Sequence, residues 1–165
     1  MTATLNLANA QLFLQAGRYL TPNEAAAAGG VDTLPDNPHV TRVDRKDTRG
    51  EPRKYYVVDD PVAAGLSDRD WDKVVGVVVH GPAWQFKGWR WTTPQEIFTK
   101  VPSFTLIMDN ETVHPNINKW KGVTQLKLSR LNRHLDRAAA TQLWAAVDEF
   151  LYTKRPGLRS RKPGR

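Results

Sequence analysis

The chain has 165 residues, 40% of them hydrophobic, and a formal net charge of +7. This length and composition predict one globular domain with a core of ordinary size. The sequence contains no cysteine, which excludes disulfides, thiolate catalysis, zinc–thiolate sites and iron–sulfur clusters and fits an intracellular protein. It also lacks an apolar run approaching the roughly 20 residues that a transmembrane helix needs, so no membrane association is expected.

The positive charge is concentrated at the C-terminus. Residues 154–165 hold six basic residues and no acid, whereas residues 1–153 hold 18 basic and 17 acidic residues. The prolines and glycines of the same segment predict disorder. Such a tail could contact nucleic acid or an acidic partner through counterion release, or it could only keep the terminus soluble. We therefore expect one folded domain over 1–153 and a basic disordered tail over 154–165.

Two helices are predicted at the N-terminus. The first spans residues 5–17, with Asn9 as N-cap and Gly17 in the left-handed position that ends a helix. The second begins at Thr21, where a capping hydroxyl precedes Pro22 at the first helical position and Glu24 one turn on.

The next segment, residues 31–54, is polar and interrupted by prolines and glycine, without a clear hydrophobic period. It is interpreted as a long, flexible, exposed loop. A short strand then follows over residues 55–58, and a helical turn starting at Ser67 carries Trp71 into the core.

A β-α-β unit is predicted over residues 74–108. Residues 74–79 are valines with one glycine, a continuous run typical of a strand buried on both faces. Thr93 and Pro94 begin a helix that Pro102 stops, and residues 104–108 form the second strand. This arrangement predicts an α/β fold with a mostly parallel sheet and helices on both faces.

The remaining elements complete that fold. One or two turns are expected around Pro115, followed by a strand over 123–128 and a last helix capped by Asp136. The apolar residues of that helix recur on one wide stripe that can dock on a sheet: Leu143, Trp144, Val147, Phe150 and Leu151.

The first enzymatic hypothesis is that the chain binds a nucleotide, because a valine-rich strand leads into residues 81–88. Gly81 and Lys87 match the P-loop pattern G-x-x-x-x-G-K-[ST], but Phe86 replaces the second glycine and Gly88 the magnesium-binding hydroxyl. Pro82 also removes one backbone donor that would face phosphate. The loop is therefore interpreted as a degenerate P-loop, and GTP binding is the least favoured alternative.

Other catalytic patterns are absent from the sequence. The segment 118–121 resembles the guanine-reading motif N-K-x-D but ends in Lys121, a cation that cannot accept the N–H groups of the base. The motif D-x-x-G occurs only in the polar segment at 47–50. The four histidines lie in unrelated segments without metal-binding spacing. We therefore predict no catalytic residues, no cofactor and no metal.

The segment after the valine run is rich in aromatic residues. Trp84, Phe86, Trp89 and Trp91 fall within ten residues, a density found either in a core or on a recognition surface. About half of these rings are expected to be buried, and polar side chains between them are expected to face outward. The candidate partner-binding residues here are Trp84, Gln85, Lys87, Trp89 and Arg90.

A second candidate cluster lies between the last strand and the last helix. It contains Lys127, Arg130, Arg133, His134 and Arg137, at the sheet edge where ligands of α/β proteins usually bind. Two of its arginines, at 130 and 133, could grip a phosphorylated or acidic peptide through bidentate hydrogen bonds. A solvated loop with Arg133 paired to Asp136 explains the same pattern equally well.

Several motifs together resemble the C-terminal domain of the parafibromin family. They are GPAWQFKGW at 81–89 and RHLDR at 133–137, together with LANA at 7–10, VVDDP at 57–61, DWDKVV at 70–75, IFTK at 97–100 and HPNINKW at 114–120. The order and spacing of these motifs cover roughly residues 2–153.

The resemblance implies a Ras-like domain that neither binds nor hydrolyses GTP. It further implies a nuclear subunit of the RNA polymerase II-associated factor (Paf) complex, which promotes histone modification. The expected partners are phosphorylated tails of the polymerase and of elongation factors, other Paf subunits through regions mostly outside this chain, and chromatin. Family members also carry an apolar strand before the stretch that begins here at Thr2, so the first sheet strand is expected to be missing.

A third alternative is a nucleic-acid-binding module. The basic tail and the basic residues among the aromatic side chains at 82–91 are the features that support it.

Overall fold

The computed structural model describes residues 2–3, 5–29, 32–91 and 93–155. Its strands are β1 (Thr2–Ala3), β2 (Thr33–Leu34), β3 (Asn37–Lys46), β4 (Pro52–Val58), β5 (Val77–Val78), β6 (Ser103–Met108) and β7 (Val123–Leu128). Its helices are α1 (Leu7–Ala16), α2 (Pro22–Ala27), α3 (Pro61–Ala64), α4 (Asp68–Trp71), α5 (Pro94–Lys100), α6 (Pro115–Lys119) and α7 (His134–Lys154).

The central sheet is built around β6. It pairs in parallel with β5 and with β7, and its far end pairs with the antiparallel β1. The connection from β5 through α5 to β6 is the predicted β-α-β unit. All six residues of β6 are buried, so β6 is the strand covered on both faces, whereas the predicted strand 74–79 is reduced to the two residues of β5.

The two faces of this sheet bury separate cores. One core packs α1 and α7 against the sheet, with Phe104, Leu106 and Leu126 among its members. The other packs α4, α5 and α6 on the opposite face, around Val79 and Ile97. Because side chains alternate along a strand, β6 contributes to both faces. The molecule therefore has the predicted three layers, with helices on both sides of a mostly parallel sheet.

The prediction of a flexible loop over 31–54 is wrong. Strands β2, β3 and β4 form an antiparallel sheet in that region, with Val40 opposite Val58 and Lys46 opposite Pro52. Helix α1 packs against β3 and buries Val43 completely. The predicted strand at 55–58 is the second half of β4.

The turn between β3 and β4 is organised by Asp47. The backbone N–H groups of Arg49 and Glu51 donate to Asp47 Oδ1 at 2.9 and 3.0 Å, and Gly50 takes the left-handed conformation with φ of +79°. On α7, the Tyr152 hydroxyl donates to Asp47 Oδ2 at 3.0 Å. The carboxylate thus closes the hairpin and joins it to the last helix.

Helix caps explain most element boundaries. Thr21 caps α2 and Thr93 caps α5 as predicted, and Gly17 ends α1 with φ of +66°. The cap of α1 differs, because Asn6 accepts the N–H of Ala8 while its own N–H donates to the predicted cap, Asn9.

Helix α7 begins earlier than predicted. It starts at His134 after Arg133, and Asp136 lies buried within its first turn. The helix continues to Lys154, so it includes the first residue assigned to the basic tail. Residues 156–165 of that tail lie outside the described residues.

Candidate functional site

The loop between β7 and α7 carries the first group of candidate residues. Its shape depends on Ser129, which is buried and accepts the N–H of Asn132 at 3.1 Å. This turn leaves Leu131 fully exposed, at 100%. An apolar side chain that folding does not bury is available as an anchor for a partner. The sequence alone does not single out Leu131, because nothing in its local pattern distinguishes it from a core leucine.

Arg133 is held in place by intramolecular contacts. One of its guanidinium nitrogens lies 3.1 Å from Asp136 Oδ2 and also donates to the carbonyl of Tyr19. The side chain of Asp136 is only 4% exposed, whereas that of Arg133 is 49% exposed. Arg133–Asp136 pairing, one of the two alternatives considered from the sequence, is therefore present, and half of the arginine still faces solvent.

Arg137 and Arg18 lie beside Arg133, where the end of α1 meets the start of α7. A Cβ atom on Gly17 would lie 3.2 Å from the Cα of Arg137, so the glycine permits this close approach. Both arginines are exposed. Arg18 was not a candidate from the sequence, because more than 100 residues separate it from the others and only this contact brings it near them.

Arg130 makes one long contact with an acidic side chain. Its own side chain is 64% exposed, and its guanidinium lies 3.8 Å from Glu111, at the limit of an ion pair. Lys127 is exposed on β7, between two buried leucines. We call Arg18, Arg130, Arg133 and Arg137 the arginine edge. It lies at the carboxyl ends of the parallel strands, where planar guanidinium groups can bind phosphate or carboxylate in pairs.

The aromatic segment 82–91 forms the second group, and its rings divide between core and surface. Phe86 and Trp91 are buried, Trp89 is half-buried, and Trp84 is 78% exposed. The inner rings pack around Trp71, which is tilted against Trp89 at a centroid distance of 5.7 Å and packs edge to face with Trp91 at 5.3 Å. The expectation that about half of these rings are buried is confirmed.

Gln85 does not face outward as predicted. Its side-chain amide donates from Nε2 to the carbonyl of Val78 and accepts the N–H of His80 at Oε1, both at 2.9 Å. These two backbone groups lie on the side of β5 that faces away from β6. The side chain therefore replaces a neighbouring strand at this sheet edge, since such groups would otherwise lack partners.

Two other predicted contact residues are also engaged within the domain. Arg90 donates to Asp72 Oδ1 and to the carbonyl of Asp68, both at 2.9 Å, and Trp89 packs on Phe86 at 5.1 Å. Trp84 and Lys87 are the predicted residues of the segment that project into solvent.

The residues that resemble a P-loop have structural roles in packing and hydrogen bonding. Gly81 has φ of +119°, and a Cβ atom there would lie 2.5 Å from the Cβ of His114. Its carbonyl accepts a hydrogen bond from Asn116 Nδ2 at 2.9 Å, while His114 Nδ1 caps α6. The chain then enters a 3₁₀ turn that buries Phe86. The glycine is required by the packing of His114.

Titratable side chains are the groups that catalysis or metal binding would use. Burial lowers the pKa of His80 below its ordinary value of 6.5. Among residues 2–3, 5–29, 32–91 and 93–155, no three His, Cys, Asp or Glu side chains are grouped so that they could hold a metal ion. Within the same part of the chain, none of the helices is sufficiently long and apolar to cross a bilayer.

Comparison with known proteins identifies the family to which the sequence is similar. Residues 1–150 match the family described as RNA pol II accessory factor, Cdc73 family, C-terminal. The Arabidopsis thaliana protein CDC73 homolog is 33% identical over 91% of this chain and 36% of its own length. The cell division control protein 73 of Schizosaccharomyces pombe is 28% identical over 94% of this chain and 41% of its own length.

A solved structure supports the fold. The conserved domain of yeast Cdc73 aligns with a TM-score of 0.75 and 23% identity, covering 90% of this chain and 89% of that one. This likeness confirms the predicted Ras-like α/β fold. The chain spans less than half the length of the Arabidopsis thaliana and Schizosaccharomyces pombe relatives. From the match over residues 1–150, the chain belongs to the Cdc73 family and corresponds to its C-terminal domain.

Proposed function

We propose that this domain is a non-catalytic interaction module that helps recruit the Paf complex to RNA polymerase II and chromatin in the nucleus. In this proposal the arginine edge binds phosphorylated or acidic peptides from the tails of the polymerase and of elongation factors. Family membership supports the role in transcription. Contacts with other Paf subunits are assigned mostly to regions outside this chain, which spans 36% of the Arabidopsis relative.

The observation that carries the proposal is the charge imbalance of the arginine edge. Four arginines lie on or beside the segment where the end of α1 meets the start of α7. The carboxylate of Asp136, which faces Arg133, is buried. Arg18 and Arg137 are exposed, and Arg130 has only the long contact to Glu111. Unlike lysine, arginine presents a planar fork that matches phosphate oxygens. The fully exposed Leu131 supplies an apolar contact beside these cations.

The geometry of the segment that resembles a P-loop supports a non-catalytic role. Pro82 lacks an N–H group, the 3₁₀ turn Ala83–Phe86 follows it directly, and the ring of His114 packs on Gly81. Phosphate binding in a P-loop depends on consecutive backbone N–H groups that curl around the anion. Microcalorimetry with GTP and magnesium at millimolar concentration tests this point, and heat of binding would argue for the nucleotide-binding alternative.

Fluorescence anisotropy with labelled tail peptides tests the proposal. The phosphorylated peptide is expected to bind more tightly than its unphosphorylated twin, and Arg130→Ala combined with Arg137→Ala to weaken it by about tenfold or more. Arg69→Ala, which removes an exposed arginine from α4, is the matched control and should change little. Equal, weak binding of both peptides to all variants would contradict the proposed site.

Nucleic-acid binding is a second candidate function, favoured by the six basic residues of 154–165. Binding of duplex DNA that weakens steeply with salt and disappears when the chain is shortened to residue 153 would assign it to tail electrostatics. Binding that survives this truncation would instead assign nucleic acid to the folded domain, with Trp84 and Lys87 as the first positions to substitute.

A further inference from the structure

A cleft of about 500 Å³ lies at the end of the central sheet opposite the arginine edge. It is bounded by the end of α5, the first residues of β6 and β7, and the last turns of α7. Since β6 has six residues, roughly 17 to 20 Å of strand separates the two ends of the sheet. The volume falls in the range of sites that bind small molecules or a single side chain of a partner.

Apolar side chains form part of the walls of the cleft, beside polar surface of similar extent. Phe98, Val101 and Pro102 line it from the α5 side, and Ala146 and Phe150 line it from α7. At Gly122 the chain passes so close to α5 that a Cβ atom would lie 2.8 Å from the Cβ of Phe98. This glycine removes a side chain that would otherwise separate β7 from α5, so the cleft has a bare backbone segment on one side.

The rim of the cleft is basic. Lys100, Lys154 and Arg155 line it, and no acidic residue is among the described residues that do so. Lys100 and Lys154 lie in the last turns of their helices, where they offset the negative helix ends. The guanidinium of Arg155 lies beyond the helix, 5.3 Å from the centre of the Phe150 ring. The three cations of the rim carry more charge than the partial negative charges at the ends of the two helices, so the rim remains positive.

We propose that this cleft is a second docking site, for an acidic peptide that inserts one aromatic or aliphatic side chain between its walls. The carboxylates of the peptide face the rim cations, while the inserted side chain covers apolar surface. The proposal does not depend on the function assigned to the arginine edge, because the two sites share no residue.

The charge of the chain argues against its own tail as the occupant. Four further cations follow in residues 156–165, with no acid, and like charges would oppose their approach to Lys100, Lys154 and Arg155.

Two labelled probes test the proposal on the full chain: a peptide of glutamates around one central phenylalanine, and its twin with alanine at that position. The phenylalanine probe is expected to bind about tenfold more tightly, because only its ring can cover the apolar walls. Ala146→Trp, which fills the cleft, should abolish this preference. Ala145→Trp places the same ring on the exposed side of α7 and should preserve it.

A charge variant gives a second readout that does not disturb the walls. Lys100→Glu is expected to weaken both probes by about threefold or more, and Lys87→Glu, on an exposed residue beyond the opposite end of β5, to change them less. Equal affinity for the two probes would overturn the proposal, as would equal behaviour of the two tryptophan variants. Tighter binding after removal of residues 156–165 would overturn it too, by identifying the tail as the occupant.

Discussion

Arg45 on β3 and Asp148 on α7 form a bidentate ion pair, with nitrogen–oxygen distances of 2.7 and 3.2 Å. The Asp148 side chain is 2% exposed and that of Arg45 14%. The Thr48 N–H also donates to Asp148, and the Arg45 guanidinium lies 4.3 Å from the centre of the Trp144 ring. This pair, with Asp47 and Tyr152, holds the β3–β4 hairpin on the helix that supports the central sheet.

Asp148→Ala is expected to lower the free energy of unfolding by about 3 kcal/mol or more, because it leaves a buried guanidinium without a counterion. Urea denaturation followed by circular dichroism measures the change. Glu149→Ala alters the exposed neighbour on the same helix and should cost less than about 0.5 kcal/mol. Equal, small losses for the two variants would show that the ion pair contributes little.

Gly81→Ala is expected to destabilise the domain through a clash with His114. The added Cβ would lie 2.5 Å from the Cβ of that ring, in a backbone conformation that already disfavours a side chain, and we expect a loss of about 2 kcal/mol or more. Gly65→Ala is the control, because Gly65 has φ of +74° with no atom within 4 Å. The difference between the variants measures the clash, and His114→Gly, which removes both the Cβ and the ring, should reduce it. Equal losses would contradict this packing.

Gln85→Leu is expected to loosen the outer edge of β5. The Val78 carbonyl and the His80 N–H lose their partners, which costs about 1 to 3 kcal/mol if water does not replace them. Hydrogen exchange at the His80 amide should become faster in the variant. Gln95→Leu, on the exposed face of α5, should leave that amide protected. An unchanged exchange rate in Gln85→Leu would mean that the side chain does not cap this edge.

His80 is expected to make stability depend on pH. Because burial lowers its folded-state pKa below 6.5, the unfolded chain takes up a proton first as pH falls. The free energy of unfolding should therefore decrease as the pH falls through 6.5. His80→Gln should flatten this dependence. The same slope in His80→Gln would contradict the assignment.

The sequence predicted the β-α-β unit and most caps because these depend on neighbours along the chain. Thr93 and Gly17 lie beside the backbone groups that they satisfy. The run of valines indicated a strand, although only Val77–Val78 form one. The hairpin at 37–58 escaped prediction because its stability comes from distant contacts. In β3 both Val40 and Thr41 are buried, which breaks the alternation expected of a half-buried strand.

The candidate site, too, could be predicted from the sequence only in part. The arginines at 130, 133 and 137 are close in sequence, so their cluster could be predicted. Arg18 joins them only because Gly17 packs on α7, and Gln85 turns inward only because β5 has an edge to satisfy. Both outcomes require the tertiary structure.

The most direct test of the proposed function is nitrogen-15 chemical-shift mapping with a phosphorylated tail peptide, which reports the binding surface residue by residue. We predict that the peptide shifts the amide signals of Arg18, Arg130, Leu131 and Arg137, and that its unphosphorylated twin does so only at higher concentration. Shifts confined to residues 156–165, or none at these four positions at saturation, would contradict the arginine edge as the binding site.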